Sequence, residues 1–190
     1  TTTDLTPGQI HQIGLDELKS IHEEMVAIAK KLGHGGDVKS FIATMKSDPA
    51  NYKASRDDVL AMYRAALAKS EALLPKWFGR LPKYACKVKP IEDYREKDAP
   101  TAYYYSADPN HTRDAYFYAN TYQPETRPIY SAMALTVHEA VPGHHLQIAI
   151  AQELKNLPEF RKNASSTAFV EGWALYTERL ADEMGLYETD

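Results

Sequence analysis

Apolar residues return at intervals of three and four near the start of the chain: Ile10, Gly14, Leu18, Ile21, Met25, Ile28 and Leu32. That spacing predicts a helix over 7–33, about seven turns long, with a single apolar stripe. Pro7 suits its first turn, and Gly33, Gly35 and Gly36 end it. Val38, Phe41, Ile42 and Met45 predict a short second helix that stops at Asp48-Pro49. Ser55, with Asp58 three residues on, reads as a further helix start. Val59, Met62, Tyr63, Ala66, Leu67, Leu73 and Leu74 carry that helix to between Leu74 and Phe78. Long helices joined by short polar turns predict a helical hairpin or bundle over 1–80.

The pattern changes over 81–127. Pro82, Pro90 and Pro100 punctuate its first part. Residues 101–106 (Thr-Ala-Tyr-Tyr-Tyr-Ser) and 115–121 (Ala-Tyr-Phe-Tyr-Ala-Asn-Thr) are then rich in strand formers, with turn chemistry at Asp108-Pro109-Asn110 between them. Two antiparallel strands are expected. From Pro128 the helical pattern returns, over 129–154 and 166–184, with a polar link containing Pro158. The chain is therefore expected to be mainly α, an α-rich α+β fold: a helical bundle with a small antiparallel β element, one domain over 1–190 or a fragment of one.

Composition narrows the function classes. Hydrophobic residues make up 44% and charged residues 25% of 190, near the average for folded soluble domains, which argues against disorder and collagen-like structure. The net charge of −4 and the lack of a basic patch argue against nucleic acid as a partner. A single cysteine, Cys86, excludes an intrachain disulfide and a Cys-rich zinc site. No apolar run reaches the roughly 18 residues of a membrane span. Both ends read as cut, so the chain is expected to belong to a longer protein. The compartment is not set by these residues.

The most informative stretch is 136–147, Thr-Val-His-Glu-Ala-Val-Pro-Gly-His-His-Leu-Gln. It places His138, Glu139, His144 and His145 in an otherwise apolar helical run. A His-Glu-x-x-His helix binds zinc because positions i and i+4 share a face, and its Glu lies beside the water that the metal activates. Here the second His follows at six or seven residues instead of four. Six residues turn a regular helix by roughly 600°, which puts His144 on the wrong side. Seven restore the face at a rise of about 10.5 Å, too far for two bonds of about 2.0–2.1 Å to one ion. Pro142 removes the N–H that would bond to the His138 carbonyl, and Gly143 tolerates unusual dihedrals. Two residues bulging out at this point would bring His144 to the i+4 position, with His145 on a neighbouring face as an outer contact or the alternative ligand.

A catalytic zinc usually takes three protein ligands and keeps one open position. The third is sought in 168–178, Ala-Phe-Val-Glu-Gly-Trp-Ala-Leu-Tyr-Thr-Glu. Glu171, between apolar neighbours, is the candidate, with Gly172 permitting close approach of another helix. Glu178, seven residues on, shares its face and is placed to orient a ligand or to close a structural site as a fourth one. His11, His22, His34 and His111 are scattered and are assigned no metal role.

The segments His-Glu-Ala-Val-Pro-Gly-His-His-Leu-Gln and Phe-Val-Glu-Gly-Trp-Ala-Leu-Tyr-Thr-Glu closely resemble the bacterial domain-of-unknown-function family 885, and the resemblance covers most of the chain. Val-Glu-Gly-Trp-Ala-Leu-Tyr is also similar to the Asn-Glu-Gly-Phe-Ala stretch of thermolysin-related aminopeptidases, where the Glu is the third zinc ligand; by resemblance it maps to Glu171. The resemblance implies a zincin-like zinc metallopeptidase, part of a larger catalytic domain, with a two-residue insertion before His144. On that reading His138, His144 and Glu171 hold Zn2+, Glu139 is the general base, and the substrate is a peptide or small amide. Apart from the resemblance, the hairpin offers Tyr116 and Tyr118 as candidate substrate contacts, the alternative being that the Tyr-rich strands simply pack aromatic mass on the helices. Further groups would lie beyond Asp190, and an export signal on the complete protein would place it at the envelope or in the periplasm. Alternatives are a zinc hydrolase of a non-peptide amide or ester, a non-catalytic helical module with a structural metal, and iron or manganese in place of zinc.

Overall fold

The structure, a computed structural model, describes residues 3–108 and 112–188. The expected turn at Pro109-Asn110 and the side chain of His111 lie outside the described residues. The chain divides into two compact units, one ending at Asn51 and the other beginning at Tyr52.

The first unit holds helices α1 (Pro7–Lys31) and α2 (Val38–Ser47). Thr6 caps α1 in a reciprocal box with Gln9, and Pro7 takes the first helical turn. Gly33, Gly35 and Gly36 all have positive φ, which is why the chain can reverse there without strain. Asp37 caps α2 by accepting from the Ser40 amide at 2.9 Å. The stripe predicted on α1 is present, but it is exposed: Ile10, Leu18, Ile21, Met25, Ile28 and Leu32 all face water.

The second unit begins with α3 (Arg56–Trp77), capped by Ser55, whose hydroxyl accepts from the Asp58 amide at 3.1 Å. Strands β1 (Cys86–Pro90), β2 (Ala102–Tyr105) and β3 (Ala115–Ala119) form one sheet in the order β1-β3-β2. The antiparallel pair is β2 with β3, as the sequence implies, in the register Tyr103↔Tyr118, Tyr104↔Phe117 and Tyr105↔Tyr116. The third strand, β1, was not expected; it pairs parallel to β3 from Cys86↔Ala115 to Pro90↔Ala119. Proline at its end is tolerated because β1 is an edge.

Helices α4 (Ala132–Glu139), α5 (His144–Gln152), α6 (Glu159–Asn163) and α7 (Thr167–Glu183) follow. The single helix expected over 129–154 is a correction: it opens with a 3-10 turn and is fully interrupted between Glu139 and His144 instead of bulging by two residues. The link between the two expected helices contains α6.

Alternation along the strands sends Cys86, Ala115, Phe117, Ala119 and Ala102 into the core. There they meet Val59, Leu60, Tyr63, Leu67 and Leu74 of α3, Ala132 at the start of α4, and Ala140, Val141 and Leu146 around the interruption. Tyr63 packs edge-on to Phe117 at 5.1 Å between ring centroids. A second cluster, Val137 with Leu180, Ala181, Met184 and Leu186, joins α4 to α7. The mainly helical architecture with a small mixed sheet thus places α4 against α3, α7 and β2.

Candidate metal centre

Breaking a buried helix frees carbonyls that need donors. Each of three carbonyls near this break has one from another element. Thr177 shares its hydroxyl proton between the Ala174 carbonyl of its own helix at 2.7 Å and the Val137 carbonyl at 3.2 Å, Ser70 donates to Val141 at 2.6 Å, and the Trp173 indole to Pro142 at 2.8 Å. The His145 amide closes the turn onto the Ala140 carbonyl at 2.9 Å. The Val141–Pro142 peptide bond is cis. Gly143 is required by space: a Cβ there would stand 1.9 Å from the His138 carbonyl oxygen and 2.3 Å from that of Val137. Residues 140–143 are all buried.

This turn sets α5 so that His144 faces His138, with ring centroids 4.8 Å apart. Glu171 of α7 completes the group. Its Oε2 is 3.6 Å from His138 Nε2 and 3.8 Å from His144 Nε2. One ligand atom from each of the three lies within 4.8 Å of the others. Four ligands at about 2.0–2.1 Å from one ion in a tetrahedron stand roughly 3.3 Å apart, so these three, up to 4.8 Å apart, would close by at most about 1.5 Å around an ion. The donor set of two imidazole nitrogens and one carboxylate suits zinc and its divalent neighbours.

The protonation pattern fits the same use. His138 Nδ1 is 2.7 Å from Glu178 Oε1, a geometry in which Nδ1–H donates to the carboxylate and the Nε2 lone pair faces Glu171 and His144. Burial, with His138 adding to it, holds the His144 imidazole below its usual pKa and favours the neutral form that binds metals. His144 Nδ1 is buried with no hydrogen-bond partner among the described residues. Glu139 is buried beside the group. Burial pushes its carboxyl up, while His138 and the Tyr104 backbone amide act in the opposite direction.

Other expected residues lie elsewhere. His145 is 1% exposed and outside the group: its Nε2 is 2.8 Å from the Tyr84 carbonyl and its Nδ1 3.0 Å from the Tyr104 hydroxyl. Since a carbonyl only accepts, Nε2 carries the proton and Nδ1 accepts from Tyr104. Both ring nitrogens are thereby occupied, and His144 is the histidine that meets His138. Tyr116 and Tyr118 are not brought to the cluster. They share the outer face of the sheet with Tyr103, Lys89 and Arg95, where Tyr103 stacks on Tyr118 at 4.9 Å and Lys89 sits 4.7 Å above the Tyr116 ring. The tyrosine on the cluster side is Tyr104, 6.4 Å from the His144 ring by centroids. Period-two alternation from the buried Phe117 would have singled it out, given the register.

Two local expectations are corrected. The Glu171 side chain is 57% exposed, and Phe169, two residues before it, also faces water. Gly172 approaches nothing, a Cβ there having open space.

No curated protein matches the chain. Among solved structures, the crystal structure of a lipoprotein candidate from Colwellia psychrerythraea is similar over 98% of the chain, with 33% identity and a TM-score of 0.92. The chain spans 33% of the length of that protein. The sequence profile described as "Bacterial protein of unknown function (DUF885)" matches residues 1–190, and the chain accordingly belongs to this bacterial family.

Proposed function

We propose that this chain carries the catalytic centre of a metal-dependent hydrolase, most simply a zinc metallopeptidase. The observation that carries the reading is the convergence of His138, His144 and Glu171 with the Glu139 carboxylate beside them. A divalent ion held by these three would polarise a substrate carbonyl and acidify a water. Glu139, adjacent in sequence to the first ligand, is placed to take the proton from the attacking water and pass it to the leaving amine.

Competition from a closed structural site is weakened by the same geometry. Such a site needs a fourth protein ligand. Glu178 is committed to His138 Nδ1, and His145 to Tyr84 and Tyr104. Three ligands, with no fourth among the described residues, support an enzyme.

A peptide substrate is favoured by the sheet. The Thr101 carbonyl accepts from the Asn120 amide at 2.9 Å, so odd-numbered residues of β2 pair with β3 and Ala102 and Tyr104 direct their backbone groups to the free edge. That edge faces Glu139, where an extended backbone could add as a further strand. Similarity to a lipoprotein candidate supports an envelope location; no helix among the described residues is long and apolar enough to cross a membrane.

The test is metal analysis and peptide hydrolysis by the full-length protein. Wild type is expected to bind one zinc per chain, and His138→Ala, His144→Ala and Glu171→Ala to lose most of it. Glu139→Gln should keep the metal and lose at least about a hundredfold in kcat. Metal content unchanged across the three ligand variants would sink the assignment.

A further inference from the structure

We infer that Tyr104 is a positioning residue that holds the edge strand β2 in register with both halves of the interrupted helix, acting through His145 on one side and beside Glu139 on the other. The inference rests on reading the site as a hydrolase's metal centre.

Three contacts carry it. Tyr104 turns inward from β2, opposite the buried Phe117. Its hydroxyl lies 3.0 Å from His145 Nδ1, next in sequence to the ligand His144 and in the first turn of α5. Its backbone amide is directed away from β3, and β2 packs against α4, whose last residue is Glu139. One residue therefore meets the segment after the interruption with its side chain and stands on the strand that packs against the segment before it. His145 extends the tie: its Nε2–H donates to the Tyr84 carbonyl, just ahead of β1. The imidazole is then a bridge between two points of the sheet region and α5, fixed in one tautomer by a donor at one nitrogen and an acceptor at the other.

Geometry follows from this bridge. The distance from the free edge of β2 to His138 and His144 sets where an extended substrate would place its scissile bond. Misplacement by about 1 Å can cost a hundredfold in rate without altering affinity for the metal. A phenyl ring in place of the phenol keeps the packing and deletes only the hydroxyl tie.

The experiment compares wild type, Tyr104→Phe, His145→Gln and the double variant in the full-length protein. In metal-free protein, nitrogen NMR of the His145 ring should show the Nε2–H tautomer, and Tyr104→Phe should shift the Nδ1 resonance. With cobalt(II) as the metal probe, every variant should retain wild-type stoichiometry, while Tyr104→Phe shifts the visible absorption bands. Hydrolysis should lose about tenfold in kcat with KM held within about twofold. The double variant should be no worse than the poorer single one, as expected for two residues in one chain of contacts.

A Tyr104→Phe protein with wild-type thermal midpoint, unchanged cobalt bands and unchanged kcat overturns the inference. So does a drop in kcat that tracks loss of folded protein in the melt, because that is a purely structural role. Cobalt binding without hydrolysis of any peptide would fail the substrate reading alone and leave positioning to be decided by the bands. Failure to bind cobalt would remove the centre, and the positioning role with it.

Discussion

Gly143 shows how tightly a single position can be constrained. The atoms a Cβ would strike are two backbone carbonyls, which have nowhere to move without rebuilding the turn. Gly143→Ala should cost about 3 kcal/mol or more and weaken metal binding, whereas Gly172→Ala, with open space around it, should be neutral or stabilise by about 0.5–1 kcal/mol. Urea midpoints of the two variants, measured side by side, check the contrast. His145 gives a pH dependence of definite sign. Burial lowers its folded pKa below the ordinary 6.5, so the unfolded chain takes up the proton first. Stability of the metal-free protein should be full above pH 6.5 and fall as the pH drops through that value towards the folded one. His144 acts in the same direction, and Glu139 in the opposite one: its raised folded value makes stability fall as the pH rises through 4.5. Each histidine contributes at most about 1.4 kcal/mol per pH unit. His145→Gln should flatten the curve between pH 7 and pH 5; an identical slope would show that its imidazole titrates normally.

At the scale of elements, α1, α2, α3 and α7 were legible because each has a period, whereas α4 and α5 read as one helix and α6 as a polar link. Ser55 with Asp58 and Pro7 in the first turn mark their helices in the chain itself. The strand β1 was missed although Cys86 and Val88 alternate with Lys87 and Lys89; five residues ending in proline make a weak pattern. His138, His144 and Glu171 could be chosen as a set because few reasons exist for such residues in an apolar run broken by Pro-Gly. The extent of the interruption could not be read, since it depends on donors from Ser70, Trp173 and Thr177, which come from α3 and α7. Tyr104 was hidden among Tyr103, Tyr104 and Tyr105. Local composition treats the three alike, and only the pairing with β3 decides which one turns inward.

For the whole molecule, the exposed face of α1 is the feature that water should penalise. Leu18 is 64% exposed, and Ile10, Ile13 and Ile21 are each 49% exposed along one helix. Contiguous apolar surface of this kind drives association. The 190-residue chain should sediment as larger species with rising concentration, and Leu18→Glu combined with Ile21→Glu should shift it towards the monomer. Equal sedimentation of both proteins across the range would show that the stripe is tolerated in water.

The carbonyls at Val137, Val141 and Pro142 carry a consequence for how the centre comes into being. Their donors arrive on helices far away in sequence, so a chain in which α3 or α7 is undocked has no reason to keep the turn at 140–143. The candidate ion site is then among the last parts to form. Metal uptake during refolding should follow, and never precede, consolidation of the tertiary core, making the ion a reporter of completed assembly and not its nucleus.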